Sequence, residues 1–268
     1  MKKIFSVVSM LAVFAVSGFA AKQTVVQAGS GDGQGSSVAV STAPAEDTRT
    51  NAEKLFDEDV QVRRNAVIYV GSERNKKNIP LLLPLLDDSS VEVRRAAIDA
   101  LGKTGDKEEV PAALMEKFKS EKNYAVRQNI VVALGELQAK SALQFLKARL
   151  KDPFPGMRNE AIRALGKIND KSTYADITAM LKDQAEGTRI MAADVIGKLK
   201  IYSPAAVENL KKNLKDPIAI VRRSSVRALG LIGASSALPE IEQMQKDTDP
   251  TVAAAAKEAA DQIKGKKK

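Results

Sequence analysis

The chain has 268 residues, of which 44% are hydrophobic and only 4% aromatic, and it contains neither cysteine nor histidine. This composition supports an aliphatic core and excludes disulfides, thiol nucleophiles, imidazole bases and the usual zinc and iron ligands, so most enzyme classes are disfavoured. The net charge is +9, but between Thr48 and Ile263 the excess of Lys and Arg over Asp and Glu falls to five, which is weak evidence for nucleic-acid binding.

Residues 1–20 have the pattern of a secretory signal peptide. Two lysines precede an apolar run from Ile4 to Val16, and Gly18-Phe19-Ala20 is a small-x-small cleavage signal. The run is too short for a stable membrane-spanning helix, so we expect no transmembrane span once it is removed; a retained anchor is the alternative. We therefore predict an exported protein that begins at Ala21 and lies in a bacterial periplasm, with secretion or envelope association as alternatives.

Residues 21–47 are rich in Gly, Ser and Ala and contain little that could form a core. This composition predicts a flexible tether. The glycines between Gly29 and Gly35 do not fit the G-x-G-x-x-G phosphate-binding pattern. At the other end, residues 265–268 form a Lys-rich tail, for which we expect at most weak contact with anionic lipid, about 1 kcal/mol per lysine.

Between these ends, three features recur in one register. Six arginines follow one another at steps of 31, 33, 31, 31 and 33 residues, each with an acid six residues before it and a glycine eight residues after it. The acid and arginine pairs are Asp57 and Arg63, Asp88 and Arg94, Glu121 and Arg127, Asp152 and Arg158, Asp183 and Arg189, and Asp216 and Arg222. A repeat of this length is the signature of a solenoid, in which each unit buries its apolar face only against its neighbours.

Each unit is predicted to contain a short first helix, an acid-containing turn and a second helix. In the second helix the apolar positions relative to the arginine are −1, +3, +4 and +7, which form one helical face. Pro80, Pro111 and Pro239 stand near the starts of first helices, where proline is tolerated, whereas Pro84 lies deeper and should kink or shorten its helix. The predicted fold is an all-α solenoid of about seven antiparallel helix pairs over residues 48–264, with atypical units at both ends.

The pattern acid–x5–Arg–x2–small–x3–Leu-Gly, as in Val93-Arg94-Arg95-Ala96-Ala97-Ile98-Asp99-Ala100-Leu101-Gly102, resembles the HEAT repeat, in the short variety first associated with phycobilin lyases. The resemblance implies a right-handed α-α superhelix whose second helices line the concave surface. It implies little about function, because the family contains scaffolds, transport factors, a few enzymes and lyase subunits. The His-Glu metal site of deoxyhypusine hydroxylase, a HEAT-like enzyme, cannot carry over to a chain without histidine.

The acid and arginine columns are predicted to be structural rather than catalytic. The acid follows the first helix, where it can cap the N–H groups that open the second helix. The arginine, one turn into that helix, can reach this acid or the one in the adjacent unit. A bidentate ladder along the stack would result.

Positions +1, +5 and +9 from each arginine lie on one stripe of the second helix, opposite the apolar face. The resemblance places this stripe, called the concave stripe below, in the groove. It carries eight cations and three anions, together with apolar residues at four positions where a solvated face would be polar. The residues predicted to bind a partner are Arg64, Ile68, Arg95, Asp99, Lys103, Val132, Arg163, Lys167, Ile190, Asp194, Lys198, Arg223, Arg227 and Leu231. A solvated face with scattered apolar residues is the alternative.

These observations favour a non-enzymatic interaction scaffold that binds an acidic or amphipathic segment of another protein, without a cofactor or metal. One alternative is binding of nucleic acid or another polyanion through the basic groove. Export and the lack of aromatic residues on the stripe disfavour nucleic acid as the partner. An accessory subunit of a lyase-type enzyme is a further alternative, which rests on the resemblance alone.

Overall fold

The computed structural model describes residues 47–265, and the predictions for the signal peptide, for the tether up to residue 46 and for residues 266–268 lie outside this range. Within it the chain forms fourteen α-helices and no strand, in seven consecutive pairs. The first helices are α1 (Asn51–Lys54), α3 (Ile79–Leu82), α5 (Glu109–Ser120), α7 (Leu143–Arg149), α9 (Tyr174–Ala179), α11 (Pro204–Asn213) and α13 (Leu238–Met244). The second helices are α2 (Val60–Ser72), α4 (Val91–Lys103), α6 (Tyr124–Glu136), α8 (Pro155–Ile168), α10 (Glu186–Lys198), α12 (Ala219–Ile232) and α14 (Pro250–Gly265). The predicted helical-pair solenoid is confirmed.

The second helices form because their apolar residues recur at helical spacing and point into one core. In α4, Val93, Ala97, Ile98 and Leu101 occupy the positions −1, +3, +4 and +7 and are buried. The same positions are buried in α6 and α8, and the core cluster extends from Leu55 to Ile263. Each unit therefore contributes one slice of a continuous aliphatic core.

The first helices are shorter and less regular than the second helices. Four of them adjoin 3₁₀ turns, and α3 ends at Leu82, where the 3₁₀ segment Leu83–Asp87 takes over. Pro84 lies inside that segment, because its ring clashes with a continuing α-helix and its nitrogen has no proton to donate. The predicted shortening of this helix is confirmed.

The repeated glycine brings consecutive second helices together. A Cβ added at Gly135 would lie 2.7 Å from Ala164 Cα, and one added at Gly71 would lie 2.5 Å from Ala100 Cβ. Gly102, Gly166, Gly197 and Gly230 meet the corresponding residue of the following unit in the same way, as close as 2.7 Å at Gly230. These contacts permit a backbone approach that a side chain would prevent. The second helices thus form the closely spaced layer, as expected for the concave side.

The two ends of the stack depart from this packing rule. In the later units, the residue six positions after the arginine is small and packs on the glycine of the preceding unit. In the first unit this position is occupied by Tyr69, which is 57% exposed. In the last unit Asp261 replaces the glycine, and Ala253 replaces the arginine. Neither end presents the glycine-and-alanine surface that joins the inner units.

Candidate protein-interaction surface

Five of the six repeat arginines bind the acid of the following unit. In each, Nε donates to that carboxylate at 2.8–2.9 Å, while Nη1 donates to two backbone carbonyls of the arginine's own turn. The pairs are Arg63 with Asp88, Arg94 with Glu121, Arg158 with Asp183, Arg189 with Asp216, and Arg222 with Asp247. Both side chains of every pair are at most 15% exposed. The ladder is therefore an internal element of the fold with little capacity to bind a partner.

Sequence reasoning overlooked Asp247, the last acid of the ladder. It stands six residues before Ala253, in the position that the other acids hold relative to an arginine. Asp247 was not predicted because no arginine follows it in the repeat position. The spacing from Arg222 to Asp247 is 25 residues, equal to that from Arg158 to Asp183, and this spacing could have identified the pair. At the other end, Arg49 pairs with Asp57 at 2.5 Å, so the first acid is also occupied.

The arginine neighbours affect the acidity of the ladder carboxyls. Hydrogen bonds from Arg222 lower the pKa of Asp247 below its usual range. Burial alone would raise the pKa of Asp88, but hydrogen bonds from Arg63 and from the Ser90 N–H outweigh it, and the net shift is downward. These carboxyl groups are therefore ionised at neutral pH, and as carboxylates they accept the hydrogen bonds of the arginine and of the turn.

The expected capping role of the acids was wrong. Each acid accepts a hydrogen bond from the N–H two residues later, as Asp88 does from Ser90 at 2.8 Å, and this later residue is the N-cap. The acid thus lies too early in the turn to reach the open N–H groups of the helix. Ser90 itself caps α4, whereas α8 and α10 begin without a side-chain cap because their N-cap residues are Phe154 and Ala185.

Arg127 is the exception in the ladder, and its predicted pairing with a repeat acid is not made. Its guanidinium carbon lies 4.2 Å from the centre of the Phe118 ring. The Asp152 carboxylate accepts the same turn hydrogen bond as the other acids, from the Phe154 N–H at 3.0 Å, but none from Arg127. Phe118 stands nine residues before Arg127, where the other units have Lys54, Leu85, Arg149, Met180 and Asn213. No other ladder arginine has an aromatic face at this position, so only Arg127 has this competing interaction.

The concave stripe lines two hollows, one towards each end of the stack. The first, of about 540 Å³ between α2 and α4, is lined by Arg64, Ile68, Arg95, Asp99 and Lys103, together with Gln61, Gly71, Glu92, Ala96 and Ala100. The three cations make no ion pair with any residue in the described range, and Ile68 is 49% exposed. Desolvation raises the pKa of Asp99, although Lys103 and Arg95 oppose it. This hollow combines positive charge with an exposed apolar side chain.

The second hollow, of about 250 Å³, lies between α10 and α12. It is lined by Asp194, Lys198, Arg227 and Leu231, with Ala193, Ser224 and Ala228. Lys198 and Arg227 likewise have no carboxylate partner among residues 47–265, and Leu231 is 37% exposed. Arg223, also on the stripe, keeps a buried Nε without a hydrogen-bond acceptor. The chemistry of the first hollow thus recurs about four units later.

The middle of the stripe neutralises its own charges. Lys167 pairs with Glu136 of the preceding unit, and Arg163 pairs with Glu160 at 2.5 Å. Val132 and Ile190 are half-buried rather than exposed. Glu136 and Lys167 occupy position +9 of successive units, and their opposite charges could have predicted this ion pair from the sequence. The stripe is therefore two positive hollows joined by a neutral stretch.

The repeat register, the ladder and the helix pairing agree with comparison to known protein families. The family model described as HEAT repeats matches residues 49–121, 111–189 and 176–261. The chain belongs to the HEAT-repeat family. No curated protein matches the sequence.

Solved structures show the same HEAT-type architecture. An archaeal HEAT-like repeat protein from Thermococcus onnurineus NA1 has 16% identity and a TM-score of 0.55, over 80% of this chain and 96% of that one. Kap95p, in a complex with RanGDP, has 12% identity and a TM-score of 0.58, over 80% of this chain and 35% of its own. The complex of CpcE and CpcF of phycocyanin lyase from Nostoc sp. PCC7120 matches with 20% identity and a TM-score of 0.48, over 84% and 99%. At these identities the archaeal protein and Kap95p establish the fold alone, and the lyase complex, with its lower TM-score, adds nothing to that conclusion.

The HEAT-repeat pattern accounts for the ladder, the glycines and the core, and leaves the concave stripe unspecified. Between residues 47 and 265 no helix is long and apolar enough to cross a membrane, and no group of acidic side chains is arranged to hold a metal ion. The concave stripe, whose residues vary from unit to unit, is a candidate interaction surface.

Proposed function

We propose that this HEAT-repeat protein is an exported, non-enzymatic adaptor that binds an acidic or amphipathic segment of another protein through its concave stripe. The observation that carries the proposal is the pair of hollows, each with cations that lack a carboxylate partner within the described range and each with an exposed aliphatic side chain. Arginine with apolar neighbours is typical of the centres of protein interfaces.

The spacing of the hollows indicates the kind of segment that would fit. Four helix-to-helix steps of 8–10 Å place them roughly 30–40 Å apart along the stack. An extended chain rises about 3.3 Å per residue, so a segment of about 10–12 residues would reach from one to the other. Carboxylates near both ends would meet Arg95 and Lys103 in one hollow and Lys198 and Arg227 in the other. Apolar residues next to them would contact Ile68 and Leu231.

Export is part of the proposal and rests on the pattern of residues 1–20. The predicted tether 21–47 would give the stack reach from an attachment point, and the Lys-rich tail would add weak attraction to anionic lipid. The expected location is the bacterial periplasm or its envelope. Alkaline phosphatase fused after residue 47 is expected to be active only when residues 1–20 are present, and equal activity without them would contradict export.

Binding is tested by affinity purification of the tagged protein from envelope extracts at physiological salt. The variant carries Arg95→Glu and Lys103→Glu, and the matched control carries Lys182→Glu and Lys215→Glu. The control has the same change of net charge at exposed lysines outside the stripe. A partner that is retained by wild type and by the control but lost by the variant supports binding through the stripe. A partner retained by all three proteins contradicts it.

The dependence of binding affinity on salt concentration distinguishes the polyanion alternative from this proposal. Counterion release makes polyanion affinity fall steeply with ionic strength, by orders of magnitude between about 50 and 200 mM salt. Binding of heparin with such a slope, in the absence of any protein partner, would favour the alternative. A protein partner held through Ile68 and Leu231 as well as through charge should be less sensitive to salt.

A further inference from the structure

The third rung of the ladder, at Arg127, is open, and it leaves a guanidinium group without an anion. Arg127 makes no ion pair and no side-chain hydrogen bond to any residue from 47 to 265, and its Nε is buried without an acceptor. Each of the other five repeat arginines donates to a carboxylate and to two backbone carbonyls, as Arg158 does to Asp183, Asp152 and Pro153. Nε is closed off from solvent, whereas the two Nη groups of Arg127 are not buried and have no acceptor in the described range, so they are the donors that an acceptor from outside the chain can reach.

A second arginine lies against the same aromatic ring. The guanidinium carbon of Arg149 is 4.8 Å from the centres of both Phe118 and Phe145, and these two rings are in edge-to-face contact at 4.9 Å. Arg149 also lacks an ion pair or hydrogen-bond acceptor in the described part of the chain. Burial and the positive charge of Arg127 lower the pKa of Arg149, and Asp152 offsets this only in part. Two like charges are thus held side by side by two phenylalanine rings.

We propose that Arg127 and Arg149 form a binding site for an oxyanion of the phosphate-monoester class, at the edge of the stack where α5, α6 and α7 meet. Guanidinium groups bind phosphate oxygens bidentately, and stacking on an aromatic face fixes the plane of the fork while its N–H edge stays open. Two positive charges match a phosphate group, which carries about −1.5 to −2 charges at neutral pH.

The site is partly exposed and lies apart from the concave stripe. Both arginines are half-buried, so solvent reaches them while the surrounding protein strengthens their field. Neither occupies position +1, +5 or +9 of a second helix. The negative charge of Asp152 acts on Arg149, and Asp152 is the group that would compete with the anion by closing the rung on Arg127.

Isothermal titration calorimetry with sodium phosphate tests the site, on protein expressed from the full sequence and at constant ionic strength. We expect saturable phosphate binding that acetate does not reproduce. Arg149→Gln should weaken it about tenfold or more, because charge-assisted hydrogen bonds are lost. The matched control is Lys147→Gln, which removes a charge from the same helix where the lysine pairs with Asp176, and it should bind phosphate as wild type does.

Asp152→Asn provides a test that does not depend on the folding of the arginine variant. Removal of the competing carboxylate should tighten phosphate binding several-fold. Phosphoserine as a second probe distinguishes the sources: binding of both probes indicates a phosphate carried on a larger molecule, and binding of phosphate alone indicates the free anion. The proposal is overturned if wild type binds phosphate no better than acetate, if Arg149→Gln binds as well as wild type, or if Asp152→Asn binds more weakly.

Discussion

Removal of one charge from the ladder should show how much each rung stabilises the stack. Asp183 accepts hydrogen bonds from Arg158 at 2.8 and 2.7 Å and from the Ala185 N–H at 2.9 Å. Asp183→Asn keeps the shape and one acceptor oxygen but removes the charge and turns an amide donor towards the guanidinium. The side chains of Arg158 and Asp183 are only 12% and 10% exposed. The decrease in the free energy of unfolding should therefore exceed the ~0.2–1 kcal/mol that exposed ion pairs contribute.

The expected decrease in the free energy of unfolding is also smaller than that caused by breaking a fully buried ion pair. A fully buried pair that loses one partner costs about 3–5 kcal/mol, and a hydrogen bond to a charged group contributes about 1.5–3 kcal/mol. We therefore expect Asp183→Asn to lower the free energy of unfolding by about 2–3 kcal/mol. With a denaturant slope of about 1–3 kcal/mol per molar urea, the midpoint falls by on the order of 1 M.

Asp152→Asn is the matched control, because the Asp152 carboxylate holds the same repeat position without an arginine partner in the described range. Its bond to the Phe154 N–H survives in the amide, so the change in unfolding free energy should stay within about 0.5 kcal/mol. Urea unfolding is followed by circular dichroism and by tyrosine fluorescence, whose agreement checks two-state behaviour. Equal losses in both variants would show that Arg127 pairs with Asp152 in solution. No loss in either would show that solvent screens the ladder.

Three further outcomes follow from the packing. Gly135→Ala should destabilise the protein by about 1–3 kcal/mol through overpacking, measured by urea unfolding, whereas Gly265→Ala, with nothing within 4 Å of the added Cβ, should be neutral or slightly stabilising. Ala185→Ser should add an N-cap to α10 and raise the unfolding free energy by about 1 kcal/mol, and an unchanged value would contradict the absence of a cap. The pKa of Asp247 is lowered by Arg222, so the stability that this pair supplies is fully present above the unfolded pKa of about 4 and is lost as pH falls from there through the lowered pKa of the folded state. Urea midpoints from pH 7 to pH 3 should show this loss in wild type and less of it in Asp247→Asn.

The fold could be predicted from the sequence because its determinants repeat. Each second helix depends on residues within about two turns of its own arginine, and six copies in register leave one architecture that satisfies them all. Gly135 illustrates this: it stands eight residues after Arg127, as each repeat glycine does after its own arginine, and it packs against Ala164 as the other glycines pack against the corresponding residue of the next unit.

The site was predicted less completely, because its charges depend on contacts between units. Lys167 was expected to face a partner, yet it pairs with Glu136, which lies 31 residues earlier in sequence. The open rung depends on Phe118, whose ring attracts Arg127 and which no repeat position marks as special. Periodicity identifies what the units share, whereas function here depends on the places where one unit differs from the next.

The direction of the ladder has a consequence for how copies of the protein meet. Every paired repeat arginine reaches forward to the next unit, so a stack with a spare carboxylate at its start and a spare arginine at its end would join head to tail into fibres. Arg49 already occupies Asp57, and Ala253 supplies no guanidinium at the far end. Tyr69 and Asp261 replace the small residue and the glycine that a continued stack requires. Neither end of the described stack therefore offers the charge pair and the small-residue contact through which one unit stacks on the next.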